Sequence, residues 1–104
     1  MRQVMVRYRV KPGRADENAE LVRAVYEELE RMQPDDFHYA TFRLADGVTF
    51  VHIAFHGAAD GSNPLSELPA FARFQEDIRA RCDEPPVVSE LHEVGSYGMA
   101  GVGA

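Results

Sequence analysis

Residues 37–57 decide the fold, and they read FHYATFRLADGVTFVHIAFHG. Two apolar-rich stretches flank Asp46-Gly47, a dipeptide typical of the tight turn in a β-hairpin. The pattern predicts two strands, Phe37–Ala45 and Val48–Gly57. Counting outward from the turn pairs Arg43 with Phe50, Thr41 with His52, Tyr39 with Ala54, and Phe37 with His56.

The two faces of this hairpin differ in chemistry because side chains alternate along a strand. One face is mixed and carries the pairs just named. The other is almost wholly apolar and carries His38, Ala40, Phe42, Leu44, Thr49, Val51, Ile53 and Phe55. We therefore predict that the apolar face packs against helices, and that the mixed face lies on the open side of the sheet.

Before the hairpin the chain has a strand pattern and then a helix pattern. Val4, Val6, Tyr8 and Val10 recur with a period of two, which predicts a first strand ended by Pro12-Gly13. From Ala15 to Gln33 the apolar residues recur at helical spacing, opposite a face rich in glutamate. We predict the first helix there.

After the hairpin, the Gly-, Asp-, Ser- and Pro-containing residues from Ala58 to Leu65 predict a loop. Ser66 is the expected N-cap of a second helix that runs to about Cys82. Pro85-Pro86 ends the next connection, and Val87 to Tyr97 is the expected last strand. We expect residues 99–104, rich in Gly and Ala, to form a mobile tail.

The predicted order β-α-β-β-α-β builds a four-stranded antiparallel sheet with both helices on one face, the ferredoxin-like arrangement. We expect a single domain over residues 1–98. Its open face would show Phe37, Tyr39, Phe50 and Met5, more apolar surface than a soluble monomer exposes. We therefore expect a homodimer that covers this face with a second copy.

Composition excludes several classes of partner for this chain of 104 residues. Seventeen acidic against eleven basic residues give a net charge of -6, which disfavours nucleic acids and anionic membranes. The single cysteine, Cys82, rules out an internal disulfide and fits a reducing compartment, so the cytoplasm is the expected location. No stretch is apolar enough for a membrane span, and we expect no signal peptide, because the strand pattern begins directly after Met1-Arg2-Gln3.

Several short segments resemble the antibiotic biosynthesis monooxygenase-like family of the dimeric α+β barrel superfamily, over nearly the whole chain. They are Lys11-Pro12-Gly13, the acidic first helix, the strand from Tyr39 to Leu44, Leu68-Pro69-Ala70-Phe71, the run from Glu84 to Val88, and the run from Glu93 to Tyr97. The resemblance implies that two sheets pack face to face across a two-fold axis. It also implies a small cavity, either between sheet and helices or at the interface.

Many members of that family oxidise polycyclic phenols or quinols with dioxygen and without a cofactor, and others degrade haem. Such relatives commonly place Trp, His and Asn around the first and third strands and the connection into the second helix. This chain contains no Trp, and Asn63 is the asparagine in that connection. These departures argue against haem degradation, and the resemblance implies a cofactor-independent monooxygenase that acts on a small aromatic phenol or quinol, with no cofactor.

The mixed face of the hairpin supplies the candidate site. An oxygenase of this kind must deprotonate its phenol, and histidine accepts a proton near neutral pH. We predict that His52 is the base and that Tyr39 and Arg43 orient the substrate or stabilise its anion. The expected substrate-binding residues are Thr41, Phe50, His56, Arg7 and Asn63.

Other interpretations of the same residues stay open. His52 and Thr41 equally fit a hydrogen-bonded pair inside a dimer interface, and the arginines fit solvated or interface ion pairs. The chain would then be a non-catalytic ligand-binding module or a purely structural dimer. His52 and His56 lie about 13 Å apart on an extended strand, too far for one ion, so we expect no metal site.

Overall fold

The computed structural model describes residues 2–57 and 63–99, and all secondary-structure elements below lie within these ranges. The strands are β1 (Arg2–Val10), β2 (Phe37–Arg43), β3 (Thr49–His56) and β4 (Cys82–Glu90). The helices are α1 (Ala15–Met32), α2 (Pro69–Glu76) and the short α3 (Ile78–Arg81). None of the described helices is long and apolar enough to cross a membrane.

The strands form one antiparallel sheet in the order β2-β3-β1-β4. This is the predicted ferredoxin-like α+β fold, and the prediction is confirmed. The predicted hairpin register is also observed, since Arg43 pairs with Phe50 and Thr41 with His52. At the turn, Asp46 accepts hydrogen bonds from the backbone N–H groups of Val48 and Thr49, and Gly47 takes a φ of 78°.

The assignment of the two sheet faces was wrong. The mixed face of the hairpin packs against the helices, and Phe50, His52 and Ala54 are buried there. The register of β1 accounts for this, because Tyr8 pairs with Phe50 and therefore points to the same side. Phe37 and Tyr39 also pack against this core, so neither they nor Phe50 belong to the open face.

The open face is the apolar side of the hairpin, continued on β1 and β4. Phe42 is 56% exposed and Val87 is 62% exposed. Val51 lies between them on β3 and pairs with both Phe42 and Arg7. Met5 follows the same side on β1, where its partner is Ile53. This exposed surface of the sheet is called the open face below.

The second helical segment departs from the predicted single helix with Ser66 as its N-cap. A 3-10 turn over Pro64–Glu67 comes first, and α2 then begins at Pro69 with Leu68 as the N-cap residue. Proline at the first position of a helix costs no hydrogen bond. Glu28 of α1 accepts a hydrogen bond from the backbone N–H of Ala70 at 2.9 Å, so a side chain of another helix satisfies the start of α2.

The last strand also differs from the prediction of Val87 to Tyr97. β4 begins at Cys82, contains Pro85-Pro86 and ends at Glu90. It is an edge strand, and its register against β1 shifts between Arg7 and Arg9, opposite the prolines. Prolines are tolerated at sheet edges and bulges, because no ladder hydrogen bond is then lost. Apart from Asn63 to Leu65, the predicted loop lies outside the described residues, as does the predicted tail beyond Met99.

Candidate functional site

A cavity of about 290 Å³ lies between the helix-packed face of the sheet and the segment that contains α2 and α3. The buried residues Tyr8 and His52 lie at its closed end. Half-buried His56 and the exposed residues Arg2 and Asn63 lie at its other end, which we take as the mouth. Its walls are mostly apolar and include Val4, Val6, Ala54, Leu65, Phe71, Phe74, Ile78, Pro86 and Val88.

At the closed end, His52 is held between two tyrosines that also line the cavity. Its Nε2 atom lies 2.7 Å from the hydroxyl of Tyr8, and its Nδ1 atom lies 2.6 Å from the hydroxyl of Tyr39. Thr41 Oγ1 is 3.2 Å from the same Nδ1 atom and 2.8 Å from the hydroxyl of Tyr26. Both ring nitrogens therefore have partners, and the ring orientation is fixed.

The contacts continue from Tyr8 into the core. The side-chain amide nitrogen of Asn18 donates to the Tyr8 hydroxyl at 2.9 Å. Arg81 Nε donates to the amide oxygen of Asn18 at 3.1 Å, and another guanidinium nitrogen donates to the carbonyl of Phe74 at 2.7 Å. Arg81 is 1% exposed. The residues from Arg81 through Asn18, Tyr8 and His52 to Tyr39 are called the buried chain below.

Burial sets the protonation states of this cluster. It lowers the pKa of His52 from 6.5 to about 4, because the imidazolium would lose its hydration. The imidazole is therefore neutral at pH 7 and able to accept a proton. Burial raises the pKa of the hydroxyls of Tyr8 and Tyr39, so both are neutral donors. A hydrogen bond from Asn18 and the charge of Arg81 partly oppose the rise at Tyr8.

Among the described residues at the mouth of the cavity, His56 and Asn63 make no hydrogen bond to His52 or to the two tyrosines. His56 packs against Phe37, and its pKa is lowered by partial burial and by the nearby charge of Arg2. Asn63 accepts a hydrogen bond from the backbone N–H of Leu65, which starts the 3-10 turn. Both line the cavity.

The two arginines of the predicted site lie elsewhere. Arg43 donates to the carbonyl of Gly47 and to Asp16, outside the cavity. Arg7 is exposed and points to the open face, because it pairs with Val51. The expected grouping of these arginines with His52 is therefore wrong.

Two further predicted binding residues support the site without lining the cavity. Thr41 reaches His52 from β2 and links it to Tyr26 through its hydroxyl. Phe50 is 2% exposed and stacks on Tyr8, with ring centroids 5.6 Å apart. It belongs to the core behind the closed end of the cavity.

Sequence reasoning missed Tyr8, Asn18 and Arg81. Asn18 shares a helix face with Val22 and Val25, and Arg81 follows Phe74 and Ile78 at helical spacing. A polar residue on an apolar stripe was the available signal, since a buried polar group requires a partner. No three His, Cys, Asp or Glu side chains are gathered for a metal ion in residues 2–57 and 63–99.

Comparison with known proteins gives structural matches only, since no protein-family model and no curated protein matches the chain. A structure described as an antibiotic biosynthesis monooxygenase matches with a TM-score of 0.73 and 22% identity, over 91% of this chain and 100% of that one. A proposed antibiotic biosynthesis monooxygenase from Nitrosomonas europaea matches with a TM-score of 0.74 and 17% identity, over 91% and 100% of the two chains.

A third match is a variant of SnoaB, a cofactor-independent oxygenase from Streptomyces nogalater. It has a TM-score of 0.67 and 16% identity, over 93% of this chain and 96% of that one. Identities this low establish shared architecture and leave chemistry to be argued from the site. The chain therefore has the fold of the antibiotic biosynthesis monooxygenase structures, as the resemblance in its sequence implied.

Proposed function

We propose that this protein is a cofactor-independent monooxygenase that acts on a small aromatic phenol or quinol. The observation that carries the proposal is the neutral His52 held between two tyrosine hydroxyls at the closed end of an apolar cavity. The oxygenase named among the structural matches supports the same reaction class by analogy of fold.

The cavity suits an aromatic ligand of modest size. An apolar cavity of about 150 Å³ is enough to bind benzene. At about 290 Å³ this cavity has room for a fused two-ring system. Phe71 and Phe74 on one wall offer aromatic faces for stacking. A phenol that enters with its hydroxyl first would bring that group to His52 and the two tyrosines.

His52 would act as the base in the first step, either directly or through one of the two tyrosine hydroxyls. Loss of the phenolic proton produces an electron-rich phenolate, which can transfer one electron to dioxygen. The resulting phenoxyl radical and superoxide combine to form a carbon–oxygen bond. The peroxide takes up the proton that the phenol had lost, and where the reacting ring carbon carries a hydrogen, loss of water from this hydroperoxide leaves a carbonyl group. One oxygen atom stays in the product and the other leaves as water, so no external reductant is needed.

Oxygen uptake by the purified protein, with a panel of hydroquinones and polycyclic phenols, tests this proposal. His52→Ala should lower kcat/KM by about 100-fold or more, the usual loss when a general base is removed. His92→Ala is the matched control, because His92 is exposed and lies outside the cavity. Thermal unfolding of each variant separates lost chemistry from lost structure. Equal uptake by wild type and a folded His52→Ala protein would exclude His52 as the base.

A non-catalytic ligand-binding module is the second candidate. It is favoured by the fact that both nitrogens of His52 already have hydrogen-bond partners in the ligand-free protein. Calorimetry that shows saturable binding of aromatic ligands, with no oxygen uptake for any of them, would support this function. If the protein neither binds aromatic ligands nor takes up oxygen, the result would favour a purely structural dimer.

We also propose that the protein acts as a cytoplasmic homodimer with one domain over residues 1–98. The support for the dimer is the open face, where Phe42 and Val87 are more than half exposed. Soluble proteins rarely leave contiguous apolar patches uncovered. A second copy that packs its own open face on this one would bury both.

A further inference from the structure

The directions of the hydrogen bonds in the buried chain follow from its first member. Arginine has donors only, so the oxygen of the Asn18 amide must face Arg81. The amide NH₂ group must then face Tyr8, and it donates to the Tyr8 oxygen. This assignment rests on the chemistry of Arg81, which cannot accept a hydrogen bond.

The proton of Tyr8 is directed by the same logic. Because its oxygen accepts from Asn18, its own O–H group is free to donate, and His52 Nε2 lies at 2.7 Å. The opposite direction, with Nε2–H donating to Tyr8, would leave the Tyr8 proton without an acceptor among the described residues. Tyr8 is 2% exposed, and an unsatisfied buried donor is costly. Nε2 is therefore the acceptor.

The neutral imidazole then carries its proton on Nδ1, where the Tyr39 oxygen at 2.6 Å accepts it. The proton of the Tyr39 hydroxyl has an acceptor in Thr41, whose side chain hydrogen-bonds to Tyr39, and it can turn to a ligand in the cavity that Tyr39 lines. The two tyrosines thus play unequal roles. Tyr8 presents a hydroxyl that already donates to the base, while Tyr39 presents a donor to the ligand.

We infer that Asn18, oriented by Arg81, is a positioning residue that fixes the Nδ1–H tautomer of His52 and makes the site selective for phenolates. The inference takes its ligand class from the proposed function, but the tautomer itself does not depend on that function. In the proton transfer, the substrate O–H bond breaks and its proton passes to the Tyr8 oxygen. The Tyr8 proton passes to His52 Nε2, and Tyr39 donates to the phenolate oxygen.

The substitution Asn18→Asp reverses the direction of the buried chain. A carboxylate at position 18 still accepts from Arg81, which keeps the buried guanidinium paired, but it cannot donate to Tyr8. Tyr8 would then donate to that carboxylate and accept from Nε2–H. Nδ1 would lose its proton and accept from Tyr39, which would no longer offer a donor to the ligand. Gln33→Glu, the same change of an amide to a carboxylate at an exposed position, is the control.

Nitrogen-15 NMR of histidine-labelled, ligand-free protein at pH 7.5 measures the tautomer. We expect Nδ1–H for His52 in the wild type and in Gln33→Glu, and Nε2–H in Asn18→Asp. A wild-type Nε2–H tautomer would overturn the inference without any need for a variant. A folded Asn18→Asp protein that keeps Nδ1–H would overturn the role of Asn18.

Titration with 4-nitrophenol, whose phenolate is coloured, measures the selectivity. We expect the wild type to bind the phenolate at least about tenfold more tightly than the neutral phenol, the usual effect of one hydrogen bond to a charged group. Asn18→Asp should abolish this preference. No saturable binding, or no preference in the wild type, would overturn the selectivity. Loss of the proposed oxygenase activity with the expected tautomers would refute the proposed function alone.

Discussion

His52 combines a buried position with a titratable ring, and this makes stability depend on pH. Its pKa is about 4 in the folded protein and 6.5 when exposed. Between these values the unfolded chain binds more protons, so stability falls as pH falls. Well above pH 6.5 the His52 ring is neutral in both states, and the free energy of unfolding has its full value. By pH 5 it should have fallen by about 2 kcal/mol.

Urea denaturation at pH 7.5 and pH 5 measures this effect. His52→Gln should remove that part of the pH dependence, because glutamine does not titrate. The exposed His92→Gln variant should keep the wild-type dependence. A His52→Gln protein that loses as much stability as the wild type would show that the His52 imidazole is not held neutral by burial in the folded protein.

The chemistry of individual residues was only partly predictable from the sequence. His52, Tyr39 and Thr41 could be grouped because a hairpin turn fixes the register on both of its sides. Asn18 and Arg81 could not be added, since they lie 63 positions apart in the chain. Their contact depends on how α1 and α3 pack on the sheet, which no local pattern encodes. The same limit misplaced Arg43, whose partner Asp16 belongs to α1.

Glu28 of α1 makes the clearest stabilising contact between the helices. Its carboxylate accepts the backbone N–H of Ala70 in the first turn of α2, where a negative charge also favours the helix dipole. We expect Glu28→Ala to lower the free energy of unfolding by about 1 kcal/mol, as for loss of an N-cap. Glu28→Gln should lose less, because the amide oxygen still accepts the bond.

Chemical denaturation at neutral pH provides the comparison, with Glu27→Ala as the control. Glu27 is exposed on the same helix, so its removal should change stability by less than about 0.5 kcal/mol. Equal effects of Glu27→Ala and Glu28→Ala would show that the contact between α1 and α2 contributes nothing.

The orientation of the hairpin shows why patterns in single elements leave some questions open. Alternation sorted its side chains correctly into two sets, yet both sets contain large apolar residues. Which set is buried depends on β1, where Val4, Val6 and Tyr8 lie on one face of the sheet and Met5 and Arg7 lie on the other. The mixed set can be buried because its polar atoms satisfy one another, as the hydrogen bonds of His52 with both tyrosines show.

Association through the open face is the prediction for the assembled protein. Sedimentation equilibrium of the wild type should give twice the chain mass at micromolar concentration. Phe42→Lys, on the edge strand β2 of the open face, should produce monomer, because the interface would then bury one unpaired charge from each copy. Val94→Lys is the matched control, since Val94 is fully exposed beyond β4. A wild-type monomer, or dissociation by both variants alike, would refute the proposed interface.

The prolines of β4 have a consequence for uncontrolled assembly. An edge strand normally offers a row of free backbone donors and acceptors that can template the growth of a fibril. Pro85 and Pro86 lack the N–H group, and they interrupt this row in the middle of β4. The two prolines therefore prevent another strand from pairing along the full length of β4. A molecule with an apolar sheet surface can in this way pair face to face without also polymerising through this edge.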